Sequence, residues 1–241
     1  MKGRPVSKIT TIGFDADDTL WQNERFFRLS QERFFELLKD HADSDDLDES
    51  LMKAERRNIQ HYGFGIKGFT LSMIETALEV TDNRVPTDVI AQLIALGKDM
   101  LAHPIELLPH VGEVVEALAS SHKLVMITKG DLLHQEQKLA RSGLGLLFRA
   151  VEIVSEKYAK TYTAAFREHG TGPDEAMMVG NSLKSDVIPA LEAGAWAVHV
   201  PHHLEWSFEH AEAPVSHPRF RAISNLSKLP ELVEQADQRP K

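Results

Sequence analysis

"TIGFDADDTLW", residues 11–21, runs from an apolar tetrapeptide directly into three aspartates and a threonine. The apolar part reads as a buried strand, and each carboxylate that follows resists leaving water. Side chains two apart on an extended chain point the same way, so Asp15 and Asp17 project together from the carboxyl end of that strand. In open α/β sheets this end is where ligands bind. A turn followed by a helix N-cap is the other use of such residues, so the decision rests on what the remaining strand ends carry.

Four further short apolar runs read as strands: "KLVMIT" (123–128), "FRAVEIV" (148–154), "AMMVG" (176–180) and "WAVHV" (196–200). With "ITTIGF" (9–14) they alternate with helical patterns from residue 105 onward. Val111, Val114, Val115, Leu118 and Ala119 recur at helical spacing, and "TYTAAFREHG" and "SDVIPALEAG" each close on a helix-ending glycine. The expected core is α/β: a doubly wound, mainly parallel, Rossmann-like sheet, residues 1–21 and 104–241. Residues 22–103 break the alternation with four helical stretches, near 22–40, 46–61, 70–80 and 87–102. They form an expected all-helical cap inserted after the first strand.

The other strand ends carry chemistry as well. Thr128, with the backbone amides of Lys129 and Gly130, suits phosphate oxygens at a helix entry. "SEKYAK" offers Lys157 or Lys160 as a cation, and "VGNSLKSD" offers Asn181 and Asp186, with Ser182 or Ser185 as helix caps. Four strand ends thus each supply a polar group fit for holding phosphate and a metal.

On these residues the chain resembles the haloacid dehalogenase-like hydrolase superfamily, in its phosphatase branch with a helical cap after the first strand. Asp15, Asp17 and Thr19 match the pattern D-x-D-x-T, Thr128 the second motif, and Lys157 the lysine motif, with Lys160 as the alternative. Gly180, Asn181 and Asp186 match G-D-x-x-x-x-D with Asn in place of the first Asp. The resemblance implies a Mg²⁺-dependent phosphatase acting on a small phosphorylated metabolite such as a nucleotide or sugar phosphate. Phosphate monoesters hydrolyse so slowly that enzymes accelerate them by up to about 10²¹-fold. By resemblance Asp15 is the nucleophile, Asp17 the acid and base, and Thr128, Lys129, Gly130 and Lys157 hold the phosphoryl oxygens. The implied metal ligands are Asp15, the Asp17 carbonyl, and Asn181 and Asp186 in the last motif.

Composition narrows the partners. The 241 residues carry a formal charge of −9, which disfavours nucleic acid and anionic membranes. With no cysteine there is no disulfide, thiolate zinc site or cysteine nucleophile. "MKGRPVSKIT" has no apolar stretch of signal-peptide type, so a cytoplasmic protein is expected; its oligomeric state is not legible.

Three stretches invite other readings. "HADSDDLDES" (41–50) lacks the central glycine of a calcium loop and reads as a turn plus an acidic first helical turn. "GFGIKG" (63–68) fits G-x-G-x-x-G but follows no strand; it reads as a turn between cap helices, with Lys67 available to an anionic substrate. "HVPHHLEWSFEH" (199–210) is rich in histidine but has no companion ligand set for zinc. Competing functions are a metal-free dehalogenase, whose last motif also carries Asn, a phospho-accepting receiver, and a catalytically weak phospho-ligand-binding protein. Asp17 argues against the first, because a leaving halide needs no proton donor. The length and the helical insert argue against the second.

Overall fold

A computed structural model describes residues 8–41, 43–204 and 206–237. Residues 1–7, on which the leader expectation rests, lie outside them, as do Ala42 and Glu205 within the acidic and histidine-rich stretches. The chain divides into two compact units. One holds the described residues up to Glu24, Ile105–Thr128 and those from Gln137 on; the other holds Arg25–Pro104 and Lys129–Glu136.

The first unit is built on a sheet of order β3-β2-β1-β4-β5-β6. Its strands are β1 (Thr11–Phe14), β2 (Lys123–Lys129), β3 (Ala150–Val154), β4 (Ala176–Gly180), β5 (Trp196–His199) and β6 (Phe220–Ala222). β1 pairs in parallel with β2 (Phe14 opposite Met126) and with β4 (Phe14 opposite Val179). Alternate side chains feed two cores. Ile12, Phe14, Leu124, Met126, Met177 and Val179 pack on one face with Val115 and Val233. Val125, Ile127 and Met178 pack on the other with Tyr162, Phe166 and Ala190. Helices therefore cover both faces, which is why these strands read as unbroken apolar runs. β6 and the last helix, Leu229–Asp237, were not among the sequence expectations. A three-residue strand and a single short apolar stripe give almost no periodic signal.

The second unit is helical: α1 (Glu24–Leu38), α2 (Ser44–Tyr62), α3 (Ile66–Val80) and α4 (Thr87–Ala102). Phe34, Leu38, Leu51, Phe69, Met73, Leu93 and Met100 form its core. The acidic stretch behaves as its charge pattern implies, with Asp45 and Asp46 in the first turn of α2. α2 ends at Gly63, whose φ of 73° suits glycine, and its N–H donates to the Ile59 carbonyl. Only the first half of "GFGIKG" is a turn, since Ile66–Gly68 already lie in α3. Residues 129–136, which the sequence reading placed in the core, cluster with this helical unit instead.

Candidate active site

The parallel register brings several chain exits to one edge of the sheet. Phe14 lies between Met126 and Val179, so Asp15, Thr128 and Asn181 all follow closely on neighbouring strands. The Asp15 N–H still donates to the Val179 carbonyl at 2.9 Å, which fixes the start of the aspartate loop against β4.

Asp15 and Asp186 are buried and face the same cation. Lys157 Nζ donates to Asp15 Oδ1 at 2.6 Å and to Asp186 Oδ1 at 2.7 Å, with the lysine side chain only 2% exposed. Burial, reinforced by the Asp186 charge, lifts Asp15 to about 7 against the lowering pull of Lys157. Burial also pulls the Lys157 ammonium down, but the two carboxylates outweigh it and hold the group charged above the ordinary lysine range. Of the two candidate lysines the structure brings Lys157 to Asp15. Lys160 is exposed, its ammonium 5.6 Å from the Tyr158 ring.

Asp186 Oδ2 accepts from the Ser182 N–H at 3.0 Å, so both of its oxygens are engaged. It is held by a π-helical turn, Leu183–Val187, begun by Ser182, whose Oγ accepts from the Ser185 N–H. A Cβ at Gly180 would overlap the Asp186 side chain, so that carboxylate can sit against β4 only because residue 180 has none. Ser182 Oγ also donates to Glu209 at 2.6 Å, a contact with no signal in the sequence.

Thr19 ties the aspartate loop to β4. Its Oγ donates to Asp15 Oδ2 at 3.2 Å and accepts from the Asn181 N–H at 3.0 Å. The inward atom of the Asn181 side-chain amide lies 3.1 Å from the Asp17 carbonyl oxygen and 3.2 Å from Asp15 Oδ2 and Thr19 Oγ. With the NH₂ inward, it donates to all three. With the carbonyl oxygen inward, the Asn181 oxygen stands 3.1 Å from the Asp17 carbonyl oxygen and 3.2 Å from Asp15 Oδ2. Neighbouring ligands on an octahedral Mg²⁺ with 2.0–2.1 Å bonds are about 3 Å apart, so this donor set fits the ion. Asp186, with both oxygens taken by Lys157 and Ser182, is not in this set of three.

Asp17 is gripped by two residues that the sequence reading did not single out. Trp21 Nε1 and Lys138 Nζ both donate to its Oδ1, at 2.7 Å and 2.6 Å. Asp18, to which the sequence reading gave no role, takes a left-handed φ of 60° and caps the entry to α1. Its carboxylate accepts from the Asn23 and Glu24 N–H groups at 2.9–3.1 Å. Burial and the neighbouring Asp17 lift it to about 7.

The remaining expected residues lie on β2, in the helical unit and in and after β5. Thr128 is buried at the edge of β2. Lys129 and Gly130 belong with the helical unit, where the Lys129 ammonium sits 4.0 Å over the Phe64 ring and Gly130 has a φ of 131°. Lys67 meets an anion, but that anion is the Asp131 carboxylate at 2.8 Å. The histidine-rich loop does not converge: His199 Nε2 bonds the Asn181 carbonyl while His202 Nδ1 bonds the Leu204 carbonyl. Among the described residues, histidine and carboxylate side chains clustered closely enough to hold a metal are Glu152, Glu168 and His169, on β3 and the end of the helix Ala159–His169. No helix among the described residues is long and apolar enough to cross a membrane.

A family model described as haloacid dehalogenase-like hydrolase matches residues 9–194. A crystal structure of a haloacid dehalogenase-like family hydrolase from Xanthomonas campestris is 38% identical, with a TM-score of 0.85 over 98% of this chain and 97% of that one. A glyceraldehyde 3-phosphate phosphatase of Methanothermobacter thermautotrophicus is 26% identical over 93% of this chain and all of its own length. The mouse N-acylneuraminate-9-phosphatase is 22% identical over 96% of both chains.

Proposed function

This chain belongs to the haloacid dehalogenase-like hydrolases, and we propose that within them it is a Mg²⁺-dependent phosphatase of a small phosphorylated metabolite, working through an aspartyl-phosphate. The observation that carries this reading is the buried Asp15 carboxylate, bonded to Lys157 through one oxygen and to Thr19 through the other. Both phosphatase relatives are named for phosphorylated sugar-type metabolites, which favours the sugar-phosphate class here.

Lys157, held charged by Asp15 and Asp186, offsets the charge of the transferring phosphoryl group. Thr19 and Lys157 orient Asp15 so that one oxygen can form the bond to phosphorus. Thr128 receives a phosphoryl oxygen. Asp17 gives a proton to the leaving oxygen and later takes one from the attacking water. Asp15, the Asp17 carbonyl and the Asn181 amide oxygen would hold Mg²⁺, whose charge lets a carboxylate approach an anionic ester.

The test is a panel of phosphate esters assayed with Mg²⁺ and with excess chelator, in wild type and Asp15→Asn. The expected result is metal-dependent phosphate release that Asp15→Asn abolishes while the variant stays folded. Undiminished phosphate release in chelator rejects the metal assignment. Halide release from a 2-haloacid in chelator favours the dehalogenase instead.

A further inference from the structure

The carboxylate of Asp17 is held from behind. Lys138 Nζ donates to its Oδ1 at 2.6 Å and to Asn23 Oδ1 at 3.0 Å, and the Trp21 indole N–H donates to the same Asp17 oxygen at 2.7 Å. The lysine side chain is 8% exposed against 26% for Asp17, so the cation is the deeper member of the pair. An ammonium is buried at a cost that only a close partner offsets. Lys138 lies on the helix Leu132–Ser142, whose buried positions are His134, Gln135, Lys138 and Leu139. Three of the four are polar, which core packing does not call for.

We infer that Lys138 is the positioning residue for Asp17: it fixes the carboxyl group by one oxygen and stabilises the charge left when Asp17 gives up its proton. This rests on the reading of Asp17 as the acid. Two donors on Oδ1 fix that oxygen in place. As an Asp15 oxygen bonds to phosphorus, the ester P–O bond breaks and its electron pair goes to the leaving oxygen. That oxygen takes the Asp17 proton, and Asp17 becomes a carboxylate beside the ammonium. In the second half, water oxygen bonds to phosphorus, one water proton goes to Asp17, and the bond to Asp15 breaks, releasing phosphate. Trp21 holds the same oxygen throughout, so the carboxyl group keeps its orientation through both halves.

The consequence is selective. An alkyl ester needs a proton at its leaving oxygen, whereas nitrophenolate leaves without one. The experiment compares kcat/KM for glyceraldehyde 3-phosphate and 4-nitrophenyl phosphate in wild type, Asp17→Asn, Lys138→Met and Lys138→Arg. General acid catalysis typically contributes about 10²–10⁴-fold. Asp17→Asn and Lys138→Met should therefore each lose about a hundredfold on the alkyl ester and at least tenfold less on the nitrophenyl ester. Lys138→Arg, which keeps the charge, should recover part of the alkyl-ester loss. Lys138→Gln, which keeps a donor without the charge, takes the place of the methionine variant if that one does not fold. Equal losses on the two esters in the Lys138 variant, with Asp17→Asn still selective, overturn this inference alone. Equal losses in both variants overturn the acid role of Asp17 as well.

Discussion

Lys157 Nζ lies 2.6 Å from Asp15 Oδ1, although 142 residues of chain separate them. The contact joins the end of β1 to the loop after β3, two strands that are not neighbours in the sheet. Asp186, in the turn after β4, closes the group, so one buried ammonium serves two buried carboxylates.

Replacing Lys157 by Met leaves those two carboxylates facing each other without a cation. Removing one partner of a buried ion pair costs about 3–5 kcal/mol. Urea unfolding at neutral pH should show a loss of that order together with loss of turnover. Lys160→Met, at an exposed position, should stay within about 0.5 kcal/mol of wild type. The reverse ranking would assign the lysine role to Lys160.

Asp18 gives the protein a measurable pH signature. Its carboxyl is raised from 3.8 to about 7 by burial and by Asp17. Between those values the folded state keeps a proton that the unfolded chain has released. The stability it contributes is therefore full below about 4 and lost as pH rises through about 7, with a slope of at most about 1.4 kcal/mol per pH unit. Asp18→Asn keeps an acceptor for the Asn23 and Glu24 N–H groups but cannot titrate. Its stability should fall less steeply across this window than that of wild type. An unchanged slope would falsify the assignment.

Asn181 decides how the site behaves without metal. Its NH₂ can donate to Asp15 Oδ2 and the Asp17 carbonyl, whereas a carboxylate there would face both with like charge or partial charge. Asn181→Asp should therefore melt at lower temperature in chelator and gain more from added Mg²⁺ than wild type does, with tighter binding by calorimetry. Equal Mg²⁺-induced shifts in the two proteins would count against three oxygens sharing the ion.

Gly180→Ala tests the close approach of Asp186 to β4. The new methyl would overlap the Asp186 side chain, and overpacking of this kind typically costs about 1–3 kcal/mol. Displacing Asp186 also loosens Lys157, so turnover should fall with stability. Gly112→Ala, in the helix Val111–Ala119 with nothing within 4 Å of the added carbon, should be stabilising by about 0.4–1 kcal/mol. Comparable destabilisation at both positions would mean the effect at 180 is not steric overlap with Asp186.

By itself the sequence determined the periodic and the covalently adjacent features of this protein. Strands β1, β2 and β4 announce themselves because strands buried on both faces must be apolar, β3 and β5 as short apolar runs, and α1 to α4 through their helical stripes. Asp15, Asp17 and Thr19 were legible because two-residue spacing at a strand end places side chains together. Tertiary structure alone decided the partners. Lys157 and Lys160 are chemically alike and three residues apart, and only the path of the loop after β3 buries one of them between two carboxylates. Lys138 reaches Asp17 through folding of β1 beside β2, whereas Trp21 reaches it through the turn of the aspartate loop itself, and a lysine in a helix reads as a solvated charge until its burial is known. Asp18 looked like part of a turn because its capping role depends on where the next helix begins. Local patterns encode which residues face the interior; which of them meet there depends on strand order and register, fixed by packing across the whole sheet.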